Sequence, residues 1–204
     1  MIEVTREGGL TVLTLNRPDK ANALTGEMLG TLAETVEAAN ADNSVHAIVL
    51  TGTGKVFSAG ADLEAARAGL ATDPVWERLS GAIAASPCLT IAALNGTAAG
   101  GALGMVLACD LRVAVPTAKV FYPVMKLGFL PQPSDPVRLA ALVGPARAKL
   151  ILMAGQKVAA DEALAIGLVD RLTDDPLTEA RTLATDALAA DRTHVSAIKT
   201  MIPI

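Results

Sequence analysis

The sequence predicts an α/β fold with parallel strands, on three observations. Val45–Thr51 and Thr90–Leu94 are continuous apolar runs rich in branched residues, as strands covered on both faces are. Each run leads into a glycine-containing loop and then a helical stretch. Beyond Tyr122 the composition turns helical. The 204 residues, 51% hydrophobic and 19% charged with a net charge of -4, suffice for one sizeable core and exclude a disordered chain or a basic nucleic-acid binder. No linker, low-complexity segment or fixed-period repeat divides them, so a single domain over 1–204 is expected.

Thr11–Leu15 alternates polar and apolar residues, and Ile2–Arg6 can pair with it as a hairpin across Glu7-Gly8-Gly9. Thr25 is a candidate N-cap. Behind it Met28, Leu29, Leu32, Val36 and Ala39 recur at helical spacing as far as Asn40, with Glu34 and Glu37 toward solvent. Val45–Thr51 follows as a strand, Pro74–Ala85 as a helix and Thr90–Leu94 as a strand, and an apolar helix begins at Gly100-Gly101. Leu111–Val115 and Lys119–Tyr122 read as further strands. Helices are then expected over Asp135–Val143, from Pro145 through Ala154 with Gly155 as the stop, over Ala160–Ile166, and over Leu177–Ala190, with a strand at Leu168–Leu172.

Cys88 and Cys109 lie in apolar surroundings and read as free buried thiols. Met1-Ile2-Glu3-Val4 carries neither a basic patch nor an apolar signal core, so a cytosolic location is expected. The nearly uncharged stretch Ala98–Cys109 falls far short of the roughly 20 apolar residues of a spanning helix, and no membrane partner is expected. His46 and His194 resemble neither a nucleophile's partner nor half of a metal site, and no Cys/His/Asp spacing suggests a metal.

Ligands of open α/β sheets gather beyond the carboxyl ends of parallel strands, which directs attention to two loops, 52–62 and 95–101. Both combine small residues, which allow close backbone approach, with a following helix whose first N–H groups lack internal partners and can hold a negative oxygen. One N–H from each loop would make an oxyanion hole. A phosphate loop fits less well: Gly54-Lys55 is followed by Val56 rather than Ser or Thr, and no Gly-x-Gly-x-x-Gly opens either helix.

Asn16-Arg17-Pro18-Asp19-Lys20-Ala21-Asn22-Ala23-Leu24, Phe57-Ser58-Ala59-Gly60-Ala61-Asp62-Leu63, Asn95-Gly96-Thr97-Ala98-Ala99-Gly100-Gly101 and Cys109-Asp110, in this order and spacing, resemble the enoyl-CoA hydratase/isomerase (crotonase) family. Pro123, Leu127-Gly128-Phe129-Leu130-Pro131, Arg138-Leu139 and Ala163–Leu168 extend the likeness over essentially the whole chain. The resemblance implies a crotonase-like spiral of β-β-α turns over about 1–130 with a helical region over about 134–204. It implies an acyl-CoA thioester as substrate, whose carbonyl becomes an enolate; coenzyme A enters as part of the substrate, and no separate cofactor is expected. It places the two oxyanion N–H groups on Ala61 and Gly101, and substrate contacts at Lys20, Ala21, Ala23, Ser58, Gly60, Asp62, Leu63 and Gly100. Lys20 also reads as a solvated loop lysine, Asp62 as a helix cap and Gly100 as a tight-turn residue. Glu64 stands where several relatives carry a lysine near the nucleotide. A homotrimer or dimer of trimers is the assembly implied. Relatives continue for several helical turns beyond the stretch matched by Val195–Ile202, so a more open site, or one covered by a neighbouring subunit, is expected.

The acids that hydration requires are not in their places. Adding water across a double bond takes two carboxyl groups that hold, deprotonate and reprotonate it. The positions the resemblance assigns to them hold Gly104 and Val124, and the aspartate of some isomerases falls on Gln132. Standard hydration is therefore not expected. An enolate reaction of lyase or isomerase type is expected, with a non-catalytic acyl-CoA-binding or regulatory role as the alternative. Asp135 is the nearest acid in the same loop and the candidate acid/base, although Ser134-Asp135-Pro136 also reads as a helix cap. Tyr122, Glu77 and Glu64 are weaker candidates. Trp76 reads either as a wall of the acyl end or as core, and Asp110 as a structural hydrogen-bonding group.

Overall fold

The computed structural model describes residues 1–202. β1 (Ile2–Glu7) and β2 (Leu10–Leu15) form the expected antiparallel hairpin, with Glu7 opposite Leu10. α1 (Gly26–Ala41) starts at Thr25, whose hydroxyl accepts the Met28 N–H at 3.2 Å. Since this bond satisfies one of the donors a helix start leaves unpaired, Thr25→Ala is expected to cost about 1 kcal/mol, read as a lower urea midpoint at unchanged slope.

Three β-β-α turns follow. The first runs through β3 (Ala47–Gly52), β4 (Val56–Ser58), the short α2 (Leu63–Arg67) and α3 (Val75–Ala84). The second runs through β5 (Leu89–Leu94), β6 (Thr97–Ala99), one 3-10 turn at Gly100–Ala102 and α4 (Leu103–Ala108). The third comprises β7 (Leu111–Ala114), β8 (Lys119–Phe121), α5 (Val124–Leu127) and α6 (Asp135–Val143). Then come α7 (Pro145–Leu152), β9 (Val158–Ala159), α8 (Ala160–Ala165), β10 (Arg171–Leu172), α9 (Pro176–Ala189) and α10 (Arg192–Thr200). The first strand of each turn enters a six-stranded sheet, β1-β2-β3-β5-β7-β10, and the second enters a four-stranded sheet, β4-β6-β8-β9. Among the described residues only the β1–β2 and β8–β9 pairs are antiparallel.

Alternation along the strands assigns the two faces of the large sheet. Leu10, Val12, Ala47, Val49, Ile91, Ala93 and Val113 meet Ala180 and Ala184 of α9. Leu13, Leu15, Ile48, Leu50, Ala92 and Leu94 join the larger core with α1, α3 and α4. β3 is thus covered on both sides, which its unbroken apolar run required.

The passage from one sheet to the other is fixed by two asparagines. Asn95 accepts the Gly52 N–H (3.1 Å) and donates to the Gly54 and Val56 carbonyls; Asn22 donates to those of Thr53 and Val56. These amides replace ladder bonds where the chain leaves β3, so the corner carries little unpaired backbone.

Some expectations are corrected. The loops after β3 and β5 are not plain connections, since each contains a three-residue strand, β4 or β6. The strand expected at Leu168–Leu172 shrinks to Arg171–Leu172, because the Leu168 and Val169 N–H groups both bond to the Ala163 carbonyl and close α8. α5 and β9 were not anticipated, and α10 was expected only as part of the helical region over about 134–204. Among the described residues no helix is long and apolar enough to cross a membrane, and no group of three or more His, Cys, Asp and Glu is placed to hold a metal ion. Both cysteines are free and buried. Burial pushes the Cys109 thiol up to about 12, so it stays protonated and inert at neutral pH.

Candidate active site

The two glycine loops meet backbone to backbone. Gly60 has φ +93°, and a Cβ there would lie 2.8 Å from the Ala99 carbonyl oxygen and 3.2 Å from Gly100 Cα. Gly100 is likewise left-handed, at φ +58°. Only glycine allows this approach. The next residue of each loop, Ala61 and Gly101, lines one cavity of about 360 Å³. Both are half-buried, and no acceptor among the described residues takes either N–H. These two N–H groups, on touching loops beside one cavity, are free to donate to a ligand oxygen.

The segment 20–24 braces the first loop. Ala59 N–H donates to Ala21 (3.0 Å), Leu24 N–H to Gly60 (2.8 Å) and Asp62 N–H to Leu24 (2.8 Å). Ser58, expected among the substrate contacts, is fully buried: its hydroxyl donates to the Asn22 carbonyl (2.8 Å) and accepts the Gly60 N–H (3.1 Å), so it shapes the loop from behind. Asp62 caps α2 through the Glu64 and Ala65 N–H groups and pairs with Arg17 at 2.8 Å; that guanidinium, with the cap bonds, holds its carboxyl below the usual range. Lys20 is exposed, and Lys20, Ala21, Ala23, Gly60 and Asp62 do not line the cavity, whereas Leu63 and Gly100 do.

The cavity walls are apolar: Ala66, Ala71, Trp76, Val124, Leu127, Phe129 and Leu130, with Arg67, Tyr122 and Gln132 as the polar exceptions. Trp76 serves both readings. It is 4% exposed in the core, and its ring edge lies 3.1 Å from where a Gly101 Cβ would stand; its indole N–H donates to the Leu70 carbonyl at 2.7 Å, which prevents the ring from swinging. A larger groove of about 1210 Å³, between α6, α9, α10 and the ends of β5 and β7, shares no residue with either glycine loop. There Asp110 accepts from Thr90 and pairs with Lys199 at 2.8 Å, the structural role expected of it. His194 is exposed and His46 is half-buried against the Ala187 carbonyl, both away from the cavity.

Asp135 is not a cap. Ser134 precedes α6, no side chain caps that helix, and Asp135 points inward with Leu139 and Val143, fully buried. The Ser134 N–H and hydroxyl both bond to Glu77 of α3 instead. Asp135 Oδ2 accepts the Tyr122 hydroxyl proton at 2.9 Å, while Oδ1 has no partner among the described residues. A Cβ at Gly104 would lie 3.0 and 3.4 Å from the two carboxylate oxygens, so an acid from α6 fills the space that a side chain at 104 would take. Burial pushes the Asp135 carboxyl up to about 6; the Tyr122 hydrogen bond and Arg138 pull it down and Glu77 pushes it up. Burial and the neighbouring carboxylate carry the Tyr122 phenol well above its ordinary range. Asp135 does not line the cavity; Tyr122 does. The signal for this arrangement was in the sequence: positions 135, 139 and 143 share one helical face with two apolar residues.

A β-β-α spiral whose touching loops carry two unpaired N–H groups beside one apolar cavity is a geometry able to hold a ligand oxygen. The chain belongs to the enoyl-CoA hydratase/isomerase family, whose model matches residues 5–203. "Probable enoyl-CoA hydratase EchA14" of Mycobacterium tuberculosis is 41% identical over 196 residues, 93% of this chain and 76% of that protein. YngF of Bacillus subtilis is 40% identical over 171 residues, 80% and 65% of the two chains. The structure superposes on DspI of Pseudomonas aeruginosa with a TM-score of 0.90 at 33% identity, covering 98% of this chain and 84% of that one. For an enoyl-CoA hydratase from Bacillus anthracis the values are 0.91, 29%, 98% and 81%. The crotonase-like fold implied by the sequence motifs is the fold found.

Proposed function

We propose that the protein binds an acyl-CoA thioester and stabilises its enolate between the Ala61 and Gly101 N–H groups, in a reaction of lyase or isomerase type: double-bond shift, decarboxylation or thioester cleavage. The observation that carries this reading is the pair of unpaired, half-buried N–H groups on touching loops. A donor of this kind supplies about 2.7–4 kcal/mol of transition-state stabilisation. Two-carboxylate hydration is not part of the proposal, because Gly104 and Val124 bring no acid to the wall and Gln132 spends its amide on the Ala71 carbonyl at 3.1 Å. Coenzyme A would lie along 20–23 and 60–63, beside the first loop. The proposal includes the trimer or dimer of trimers implied by the family motifs.

The test is solvent-deuterium incorporation at the α-carbon across a panel of acyl-CoA thioesters, with calorimetric titration of each. Binding with exchange is the expected result. Binding without exchange on any thioester would support a non-catalytic acyl-CoA-binding protein, and the absence of binding would remove both readings.

A further inference from the structure

We propose that Tyr122 is the proton-transfer group of this site and that Asp135 acts through it, a pair that replaces the acids missing at 104 and 124. The inference rests on the enolate reading above.

Among the described residues, Tyr122 is the one cavity-lining residue whose titratable group is engaged by a buried carboxylate. Its hydroxyl spends its proton on Asp135 Oδ2 at 2.9 Å, which leaves the oxygen lone pairs as the acceptor for a substrate proton. The Gln132 N–H lies 3.5 Å from that oxygen, too long to saturate it. Behind it, Asp135 is fully buried with Oδ1 unpartnered, an arrangement that weakens a fold and that concentrates at functional sites. The groups facing this carboxyl are Tyr122 at the end of β8, Glu77 from α3 and Arg138 from α6; α4 presents only Gly104, whose missing side chain makes the room.

The step balances without a further reactant. The α-C–H bond breaks and its electron pair forms the enolate double bond, while the carbonyl π pair moves to the oxygen held by Ala61 and Gly101. The α-proton bonds to Tyr122 Oη as the former hydroxyl proton passes to Asp135 Oδ2, giving a neutral carboxylic acid and an intact phenol. The reverse relay returns a proton to the α- or γ-carbon. Asp135 must start as the carboxylate, so the rate is lost as pH falls through about 6 and is constant above it.

The experiment measures α-deuterium exchange from pH 4.5 to 8.5, thioester Kd and the thermal unfolding midpoint for the native protein, Tyr122→Phe and Asp135→Asn. Both variants are expected to bind thioester as the native protein does, to lose about 10²-fold or more in exchange, and to show no inflection near pH 6 in what remains. Asp135→Asn is further expected to raise the midpoint at pH 7.5, since it removes a buried charge; an aspartate with a merely structural role would lower it. Exchange by Tyr122→Phe at the native rate with the inflection intact would overturn the pair and leave the enolate reading standing. So would an Asp135→Asn variant that keeps native exchange. Failure of the native protein to exchange any thioester would instead remove the enolate reading, and this inference with it.

Discussion

Gly60→Ala is expected to lower α-proton exchange by about 10²–10³-fold, the size of losing one oxyanion donor, and to cost about 1–3 kcal/mol of stability. The new methyl group would stand 2.8 Å from the Ala99 carbonyl oxygen and 3.2 Å from Gly100 Cα, at φ +93°. These are backbone atoms, so nothing swings aside, and the 58–62 loop must back away from the 98–101 loop. On the proposed reading, Ala61 and Gly101 then no longer share one thioester oxygen. Gly8→Ala is the control: it too has a left-handed φ, +59°, but no atom within 4 Å of the added carbon. It is expected to carry only the conformational cost and to leave exchange untouched. Urea midpoints and exchange rates for the two variants separate strain from loop displacement.

Gly96→Ala is expected to be the more damaging to the fold, at about 3 kcal/mol or more, the upper range of overpacking. Its added carbon would fall 2.0 Å from the Lys55 carbonyl oxygen and 2.6 Å from the Lys55 carbonyl carbon. Gly96 and Lys55 sit in the corners where the chain passes from β5 to β6 and from β3 to β4, stacked one on the other and clamped by Asn95. The φ of Gly96 is not left-handed, so the loss comes from the neighbouring corner alone. Denaturant unfolding should show the loss, together with reduced exchange, because both glycine loops hang from these corners. A variant with a native midpoint would mean that the corners are less tightly stacked than described.

These expectations draw on features of unequal visibility in the sequence. The hairpin, α1, β3 and β5 were legible because each repeats a pattern over five residues or more, and the pattern reports which faces are covered. β4 and β6 were not, since three residues carry no period; only the family motifs implied a second strand per turn. Ala61 and Gly101 were reached by matching motifs, while the reason they meet, contact between Gly60 and Gly100, is tertiary. Asp135, the candidate acid/base, also reads as a cap from its Ser-Asp-Pro context, which hides the face it shares with Leu139 and Val143. Asn22 and Asn95 fell within motifs read as binding segments, and their role as corner clamps depends on partners more than 30 residues away. Ser58 shows the same limit: a polar residue in a binding motif turned its hydroxyl to the backbone that shapes the loop.

The central claim is that two backbone donors act together on one thioester oxygen. Difference infrared spectroscopy of a ¹³C=O-labelled acyl-CoA measures it most directly, since the stretching frequency of the bound carbonyl reports its polarisation. A band moved clearly below its position in water for the native protein, and moved back in Gly60→Ala at saturating ligand, is the predicted result. A bound carbonyl at its solution frequency, unchanged between the two proteins, would contradict it.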